Sequence, residues 1–156
     1  MGNAFQQQET REAILDATDR LLARYGYKKM TIDELAAEVG IGKGSVYLHF
    51  SSKEEIALSH IDRIIERLLI NLKKIIGQNI SCEEKLRRML IERVLYRFDS
   101  VQHYTQSMND ILSALRPKLL ERRENYFATE AQIFAEVLDE GKQKRVFGEF
   151  DSLSVA

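Results

Sequence analysis

Four side chains between residues 43 and 49 carry groups that could do recognition chemistry. They supply an ammonium, two hydroxyls and an imidazole, in the order Lys43, Ser45, Tyr47 and His49. Such groups can donate hydrogen bonds to phosphate oxygens and to acceptor atoms on base edges. On a short helix whose apolar face holds Val46 and Phe50, these four side chains are available to face outward. The segment therefore predicts contacts with a nucleic acid.

The residues before this helix supply the elements that would position it. Thr31 is followed three residues later by Glu34, which is the capping-box spacing of a helix start. Apolar residues then recur at helical spacing up to Gly40, where glycine can take a left-handed turn at little steric cost. Two short helices joined by such a turn form a helix-turn-helix, whose second helix can enter the major groove of DNA.

The rest of the chain predicts further helices and no strand, so we expect an all-α fold. Residues 1–8 are polar and rich in glutamine, which favours a flexible arm. Capping residues, apolar stripes, glycines and the single proline then predict helices over 10–25, 52–76, 81 to about 98, 102–115 and Pro117 to Gly141. Asp151 could begin one more helix.

The charge balance gives no support to nucleic-acid binding. The net charge of the 156 residues is -1, and residues 1–60 hold seven Lys or Arg against nine Asp or Glu. Nucleic-acid binders usually carry a basic excess. Any contact with DNA must therefore come from a local cluster on one face, with the acidic side chains turned away.

Catalytic and metal-binding constellations are missing from the sequence. Cys82 is the only cysteine, which excludes an intramolecular disulfide and a cysteine metal cluster and fits a reducing cytoplasm. His49 follows Ser45 by four residues, but no third group completes a hydrolase triad. His60 and His103 are isolated and lack zinc-ligand spacing. We expect a protein that is not an enzyme and holds no metal or cofactor.

Targeting signals are also missing. The N-terminus lacks the apolar stretch of a signal peptide, and no segment approaches the length of apolar residues that a membrane span needs. We therefore expect a soluble, cytoplasmic protein that does not bind a membrane.

Residues from about 11 to 53 resemble the N-terminal DNA-binding module of TetR-type transcriptional regulators. The matching positions form one ordered string: Arg11, Ile14, Leu15, Ala17, Gly26-Tyr27, Thr31, Leu35-Ala36, Val39-Gly40-Ile41, Lys43-Gly44-Ser45-Val46-Tyr47, His49-Phe50 and Ser52-Lys53-Glu54. Gly42 departs from the serine that is frequent there, but glycine is an acceptable N-cap. The resemblance implies an arm and a three-helix DNA-binding module over 1–53, joined by a long helix to a helical effector-binding and oligomerisation domain over 54–156.

The resemblance also implies which residues contact DNA. Lys43, Gly44 and Ser45 would meet base edges. Phosphates would be bound by four residues: Thr31, Tyr47, His49 and Lys53. Thr31 is equally a plain helix cap, and Tyr47 could simply pack its ring on the first helix.

The function implied is that of a sequence-specific DNA-binding regulator, most often a repressor. It would be a homodimer that binds a palindromic double-stranded operator and leaves it when a small-molecule effector biases the long helix. Candidate effector-pocket residues are the aromatic or soft side chains of the middle helices, for which core packing is the alternative: Tyr96, Phe98, His103, Tyr104, Met108, Phe127 and Phe134.

The length of the chain leaves alternatives open. Members of the family usually continue with two more helices, which pack against a partner's pair in a dimer bundle. This chain would be a truncated form, or it would dimerise by another surface, and without a dimer operator binding would weaken sharply. The acidic balance and the short C-terminus also allow a helical interaction protein whose helix-turn-helix no longer binds DNA.

Overall fold

The computed structural model describes residues 2–102 and 105–155, and over these ranges it contains helices and no strand. The helices are α1 (Gly2–Tyr25), α2 (Ile32–Val39), α3 (Lys43–His49), α4 (Lys53–Ile76), α5 (Cys82–Val101), α6 (Thr105–Gln143) and α7 (Ser152–Val155). The predicted all-α fold is confirmed. In the described ranges no helix is long and apolar enough to cross a membrane.

The chain forms two compact units that do not follow a simple N-terminal and C-terminal division. The first unit comprises Met1–Arg63 and Val101–Leu119, and the second comprises Ile64–Ser100 and Leu120–Ala156. Helices α4 and α6 each contribute many residues to both units, and α5 contributes its last residue, Val101, to the first unit. The sequence division at residue 53 therefore differs from the observed units, because residues 101–119 return to the N-terminal helices.

The core of the first unit is built from apolar side chains of α1 to α4 and α6. Leu15, Leu35 and Val46 are fully buried in it, together with Ile111 from the distant α6. The inward face of α1 consists of Ile14, Ala17, Leu21 and Leu22, which are all buried.

A buried arginine fastens α4 to α1 within the first unit. The Arg63 side chain is 9% exposed, and its Nη1 donates to Glu12 Oε2 at 3.2 Å and to Asp16 Oδ1 at 2.7 Å. A buried guanidinium is tolerated only with such partners. The pairing fixes the first half of α4 against α1, and both helices share a core with α2 and α3.

The second unit has its own core of α4, α5 and α6 residues. Leu68, Leu72, Met89 and Val137 are fully buried, and Cys82 is 2% exposed. Burial raises the pKa of the Cys82 thiol above its usual value. The cysteine is therefore a small packed side chain at the start of α5.

The flexible arm predicted over residues 1–8 is wrong, because α1 begins at Gly2. Alanine and glutamine are good helix formers, and no proline interrupts them. Side chains one turn apart also bond to this part of the helix: Gln8 Nε2 donates to Glu12 Oε1 at 3.1 Å, and Thr10 Oγ1 donates to the Gln6 carbonyl at 2.9 Å. Local propensity therefore extends the helix beyond the packed part of α1.

The two helices predicted over 102–115 and from Pro117 onward are also wrong as separate elements. They form one helix, α6, with Pro117 inside it. An interior proline removes one backbone hydrogen bond and costs about 3 kcal/mol. Buried residues on both sides offset this cost, because Ile111 and Leu115 pack in the first core while Ile133 and Phe134 pack in the second.

Candidate functional site

The capping box predicted at Thr31 is confirmed and fixes the start of α2. The Glu34 N–H donates to Thr31 Oγ1 at 3.2 Å, and the Thr31 N–H donates to Glu34 Oε2 at 2.9 Å. The Thr31 hydroxyl also donates to that carboxylate oxygen at 2.9 Å. The hydroxyl hydrogen is thus engaged inside the cap, so a phosphate at this terminus would have to compete with Glu34 for it.

The tight turn between α2 and α3 depends on Gly40, as predicted. Gly40 has φ 77° and ψ 31°, the left-handed conformation, and its N–H donates to the Ala36 and Ala37 carbonyls. The Ile41 N–H also donates to the Ala36 carbonyl, at 3.0 Å. This C-cap ends α2 and reverses the chain within three residues, after which Gly42, in extended conformation, caps α3.

Helix α3 has one buried face and one exposed face. Val46 is fully buried and Phe50, which follows the helix, is 3% exposed; the Arg11 guanidinium lies 5.0 Å from the Phe50 ring centroid. The opposite face presents Lys43, Gly44, Tyr47 and Leu48 to solvent, while Ser45 and His49 are partly buried. The inner residues therefore hold the helix in place while the outer ones remain available to a ligand.

An ion pair with α2 occupies the lysine at the start of α3. Lys43 Nζ lies 2.8 Å from Asp33 Oδ2, and both side chains are at least half exposed. The hydrogen bond and the charge of Asp33 raise the pKa of Lys43. Because exposed ion pairs are weak, Lys43 can leave Asp33 for a stronger anionic partner.

The predicted lysine at the start of α4 is held against the turn that precedes α2. Lys53 Nζ lies 4.6 Å from the Tyr27 ring centroid and donates to the Lys28 carbonyl at 3.3 Å. Tyr27 is 6% exposed, and burial followed by the charge of Glu54 raises its pKa. The cation is therefore fixed beside the first residues of the helix-turn-helix.

The exposed face of α3 contains an apolar residue that is not among the predicted DNA contacts. Leu48 is 85% exposed and lies between Tyr47 and His49. The signal was present in the sequence, since Leu48 is two positions from the inward Val46 and so falls on the opposite face. An exposed leucine here can contact the methyl group of thymine.

The second unit contains a cavity of about 330 Å³ between α5, α6 and α7. Of the predicted pocket residues, Phe127 and Phe134 line it, Tyr96 packs at the second core, and Phe98 is 62% exposed and does not line it. His103, Tyr104 and the side chain of Met108 lie outside the described residues.

The predicted pocket residues were aromatic, histidine or methionine side chains, and most residues that line the cavity are of other types. The further lining residues are Leu86, Leu90, Arg93, Glu130, Ala131, Leu138 and Val155. Metal ligation has no candidate in the described part of the chain, where no group of three or more His, Cys, Asp or Glu could hold an ion.

Comparison with known proteins places the helix-turn-helix in a family. Residues 14–59 match the family described as bacterial regulatory proteins, tetR family. The uncharacterized HTH-type transcriptional regulator YerO of Bacillus subtilis is 42% identical over 67 residues, which is 43% of this chain and 23% of that protein. The HTH-type transcriptional activator FasR of Mycolicibacterium smegmatis is 28% identical over 136 residues, covering 87% of this chain and 55% of that protein.

The fold is also that of a solved regulator. A transcriptional regulator from Cytophaga hutchinsonii superposes with a TM-score of 0.78 at 24% identity, over 92% of this chain and 72% of that one. The chain spans about half the length, or less, of the curated relatives it matches. Residues 14–59 therefore carry the helix-turn-helix module of the tetR family of bacterial regulatory proteins.

Proposed function

We propose that the chain is a sequence-specific transcriptional regulator that reads double-stranded DNA with α3. The observation that supports this most directly is the division of α3 into two faces. Val46 and Phe50 lie in the core, whereas Tyr47 and Leu48 on the opposite face are exposed to solvent. A helix whose inner face is packed in the core in this way can present its outer face to the major groove.

Base recognition is assigned to the start and the middle of the outer face. Lys43 would donate to guanine acceptors, and Ser45 can donate or accept. Gly44 has no heavy atom within 4 Å of an added Cβ, so its lack of a side chain serves approach to an external surface rather than internal packing. Leu48 would add an apolar contact with a thymine methyl.

Phosphate contacts are assigned to four donors around α3. Tyr47 is 49% exposed and His49 lies one residue beyond Leu48, so the two would bind the backbone on either side of the groove. The Lys53 ammonium has three donors, of which the Lys28 carbonyl accepts one. At Thr31, the backbone amides of the first turn of α2 would supply the donors while the hydroxyl stays with Glu34.

Regulation is proposed to follow the pattern of a repressor. A homodimer would bind the two halves of a palindromic operator, because one α3 covers only a few base pairs and linked half-sites gain effective concentration. A small molecule in the cavity of the second unit would release the dimer. Helices α4 and α6 are continuous from residues of one unit to residues of the other, so they are the candidates to carry that response.

The decisive experiment is DNA selection followed by a salt titration. The whole chain selects duplexes from a random library, and the affinity of an enriched duplex is measured against salt beside the oligomeric state. We expect enrichment of a two-fold symmetric sequence and a linear fall of log affinity with log salt. A chain that enriches no sequence and shows no salt-dependent affinity for any duplex is not a DNA-binding regulator, and the helical interaction protein would take its place. A reporter behind the enriched sequence tests repression directly.

A further inference from the structure

Arg93 and Glu130 line one side of the cavity in the second unit, and Arg97, which does not line it, pairs with the same glutamate; these three residues are called the arginine cluster. Glu130 is 4% exposed and accepts hydrogen bonds from Arg93 Nε and, at 2.6 Å, from Arg97 Nη2. The two arginines are one turn apart on α5, so both guanidinium groups reach the same carboxylate.

The cluster lacks one negative charge. Two guanidinium groups meet a single carboxylate, and among the described residues that line the cavity Glu130 is the only acidic one. The Arg97 guanidinium also lies 5.9 Å from the centroid of the Phe127 ring, which lines the cavity. A partly buried charge without a counter-charge is unfavourable, and an anion placed here would relieve that cost.

One donor of the cluster is still unused within the described structure. Arg97 Nε is buried and has no hydrogen-bond partner among the described residues. A guanidinium carries five N–H groups, and the contacts with Glu130 use only part of this capacity on each arginine. Arg93, which lines the cavity, therefore keeps donors that could bind an added anion without displacing Glu130.

Apart from this polar side, the cavity is apolar. In the part of the lining that the structure describes, Arg93 and Glu130 are the only charged residues, and the rest are aliphatic or aromatic side chains such as Leu90, Phe127 and Phe134. Its volume, about 330 Å³, is near the lower limit of ligand cavities. Such a shape fits a small molecule with a single anionic end and a short hydrocarbon body.

We propose that the cavity binds an amphipathic monocarboxylate, with the carboxylate at Arg93 of the arginine cluster and the hydrocarbon between α5 and α6. This names the effector class of the site invoked in the proposed function and so rests on it. With the ligand bound, two arginines face two carboxylates and the cluster is neutral. A cation would leave the excess charge larger, and an uncharged alcohol would leave it unchanged.

The test compares three probes with the same ten-carbon chain: decanoate, 1-decanol and decyltrimethylammonium. Binding to the whole chain is measured by isothermal titration calorimetry below micelle-forming concentrations and without DNA. We expect decanoate to bind about ten-fold or more tightly than decanol, because hydrogen bonds to a charged group contribute about that factor. The cation should bind most weakly.

Matched variants then assign the preference to the cluster. Arg93→Gln should abolish most of the preference for decanoate while decanol binding changes little, and Arg93→Lys should restore part of it. Arg88→Gln is the control, because Arg88 lies on the same helix and bonds Glu84 and Gln78 instead. Circular dichroism melting shows that each variant is folded.

The proposal is overturned if decanol or the cation binds as tightly as decanoate, if none of the three binds, or if Arg88→Gln removes the preference as fully as Arg93→Gln. Because no DNA is present, these outcomes are independent of operator binding. Selective decanoate binding by a chain that binds no duplex would refute the regulator function and leave the ligand class standing.

Discussion

Leu48 offers the sharpest test of how α3 would read DNA. If its side chain contacts a thymine methyl, replacing that thymine by deoxyuridine removes the methyl and leaves every hydrogen-bonding group of the base pair in place. The same contact is removed from the protein side by Leu48→Ala. The two changes should therefore not be additive, because either one alone eliminates the interaction.

The size of the effect follows from the exposure of the leucine. Leu48 is 85% exposed, so nearly all of its side chain can become buried on binding. Burial of one methyl group contributes about 0.8 kcal/mol, or about four-fold in affinity at one half-site. If a dimer makes the contact twice, replacing both thymines should cost about 1.6 kcal/mol, which is about fifteen-fold.

The stability of the protein should be unaffected by the same substitution. A side chain this exposed contributes little to the core, so Leu48→Ala should change the unfolding free energy by no more than about 0.5 kcal/mol. The salt dependence of DNA binding should also be unchanged, since leucine neutralises no phosphate. A loss of affinity would then reflect recognition rather than folding or charge.

The assay is fluorescence anisotropy on the selected duplex, with each thymine replaced in turn. At one thymine or one symmetric pair, deoxyuridine should weaken wild-type binding and leave Leu48→Ala binding unaffected. Leu153→Ala is the control, because Leu153 is 59% exposed but belongs to the second unit. If every replacement costs the wild type and Leu48→Ala the same factor, the contact does not exist and the reasoning is refuted.

Three further predictions concern charge, backbone conformation and acidity. Lys43→Ala should reduce the slope of log affinity against log salt by up to about 0.9, whereas Lys73→Ala in the second unit should not change it. Gly40→Ala should destabilise the fold by about 1–2 kcal/mol, because φ is 77° there. Gly44 is helical, so Gly44→Ala should stabilise the fold by about 0.5–1 kcal/mol and yet weaken DNA binding. Denaturation measures the two stability changes, and fluorescence anisotropy measures the binding change. Lys144 and Lys85 lower the pKa of Glu140 to about 2. The ion pairs of Glu140 should therefore stabilise the fold fully above the usual carboxyl pKa, and this stabilisation should be lost as the pH falls toward 2. In Glu140→Gln, the urea midpoint should fall less over that range than in the wild type. The first expectation is contradicted if Lys43→Ala and Lys73→Ala show the same salt slope. The second is contradicted if the two glycine variants change the unfolding free energy in the same direction, and the third if Glu140→Gln and the wild type lose stability equally in acid.

The helix-turn-helix could be predicted from sequence because its determinants are local. The capping box at Thr31 and Glu34, the left-handed Gly40 and the inward Val46 each act within a few residues of where they stand. Their spacing alone specifies where α2 starts, where it ends and which side of α3 faces inward. The outward position of Leu48 follows from the same helical periodicity.

The division into units and the cavity could not be predicted in this way. Ile111 and Leu115 pack with the N-terminal helices, although at least 55 residues separate them from the first turn of α4. The length of α6 likewise depends on burial on both sides of Pro117, which outweighs the local stop signal. The pairing of Glu130 with Arg93 and Arg97 joins positions more than 30 apart, and no local pattern indicates it.

The acidic balance of the N-terminal residues acquires a specific meaning from the ion pairs. Several acids are engaged inside the fold: Glu34 closes the capping box, Glu38 lies 2.8 Å from Arg20, and Asp16 lies 2.7 Å from Arg63. Asp33 differs from them, because its partner is Lys43, the lysine on the face proposed to meet DNA.

Binding through Lys43 is therefore an exchange rather than a simple addition of charge. When Lys43 moves from Asp33 to a phosphate or a guanine, the DNA releases a counterion but Asp33 regains one from solution. The net release is then below the value for an unpaired lysine, which is why the slope change for Lys43→Ala has about 0.9 as its upper limit. The exchange also favours discrimination, since weak non-specific contacts must compete with the Asp33 carboxylate, and only a partner that binds Lys43 better than Asp33 does can separate the pair.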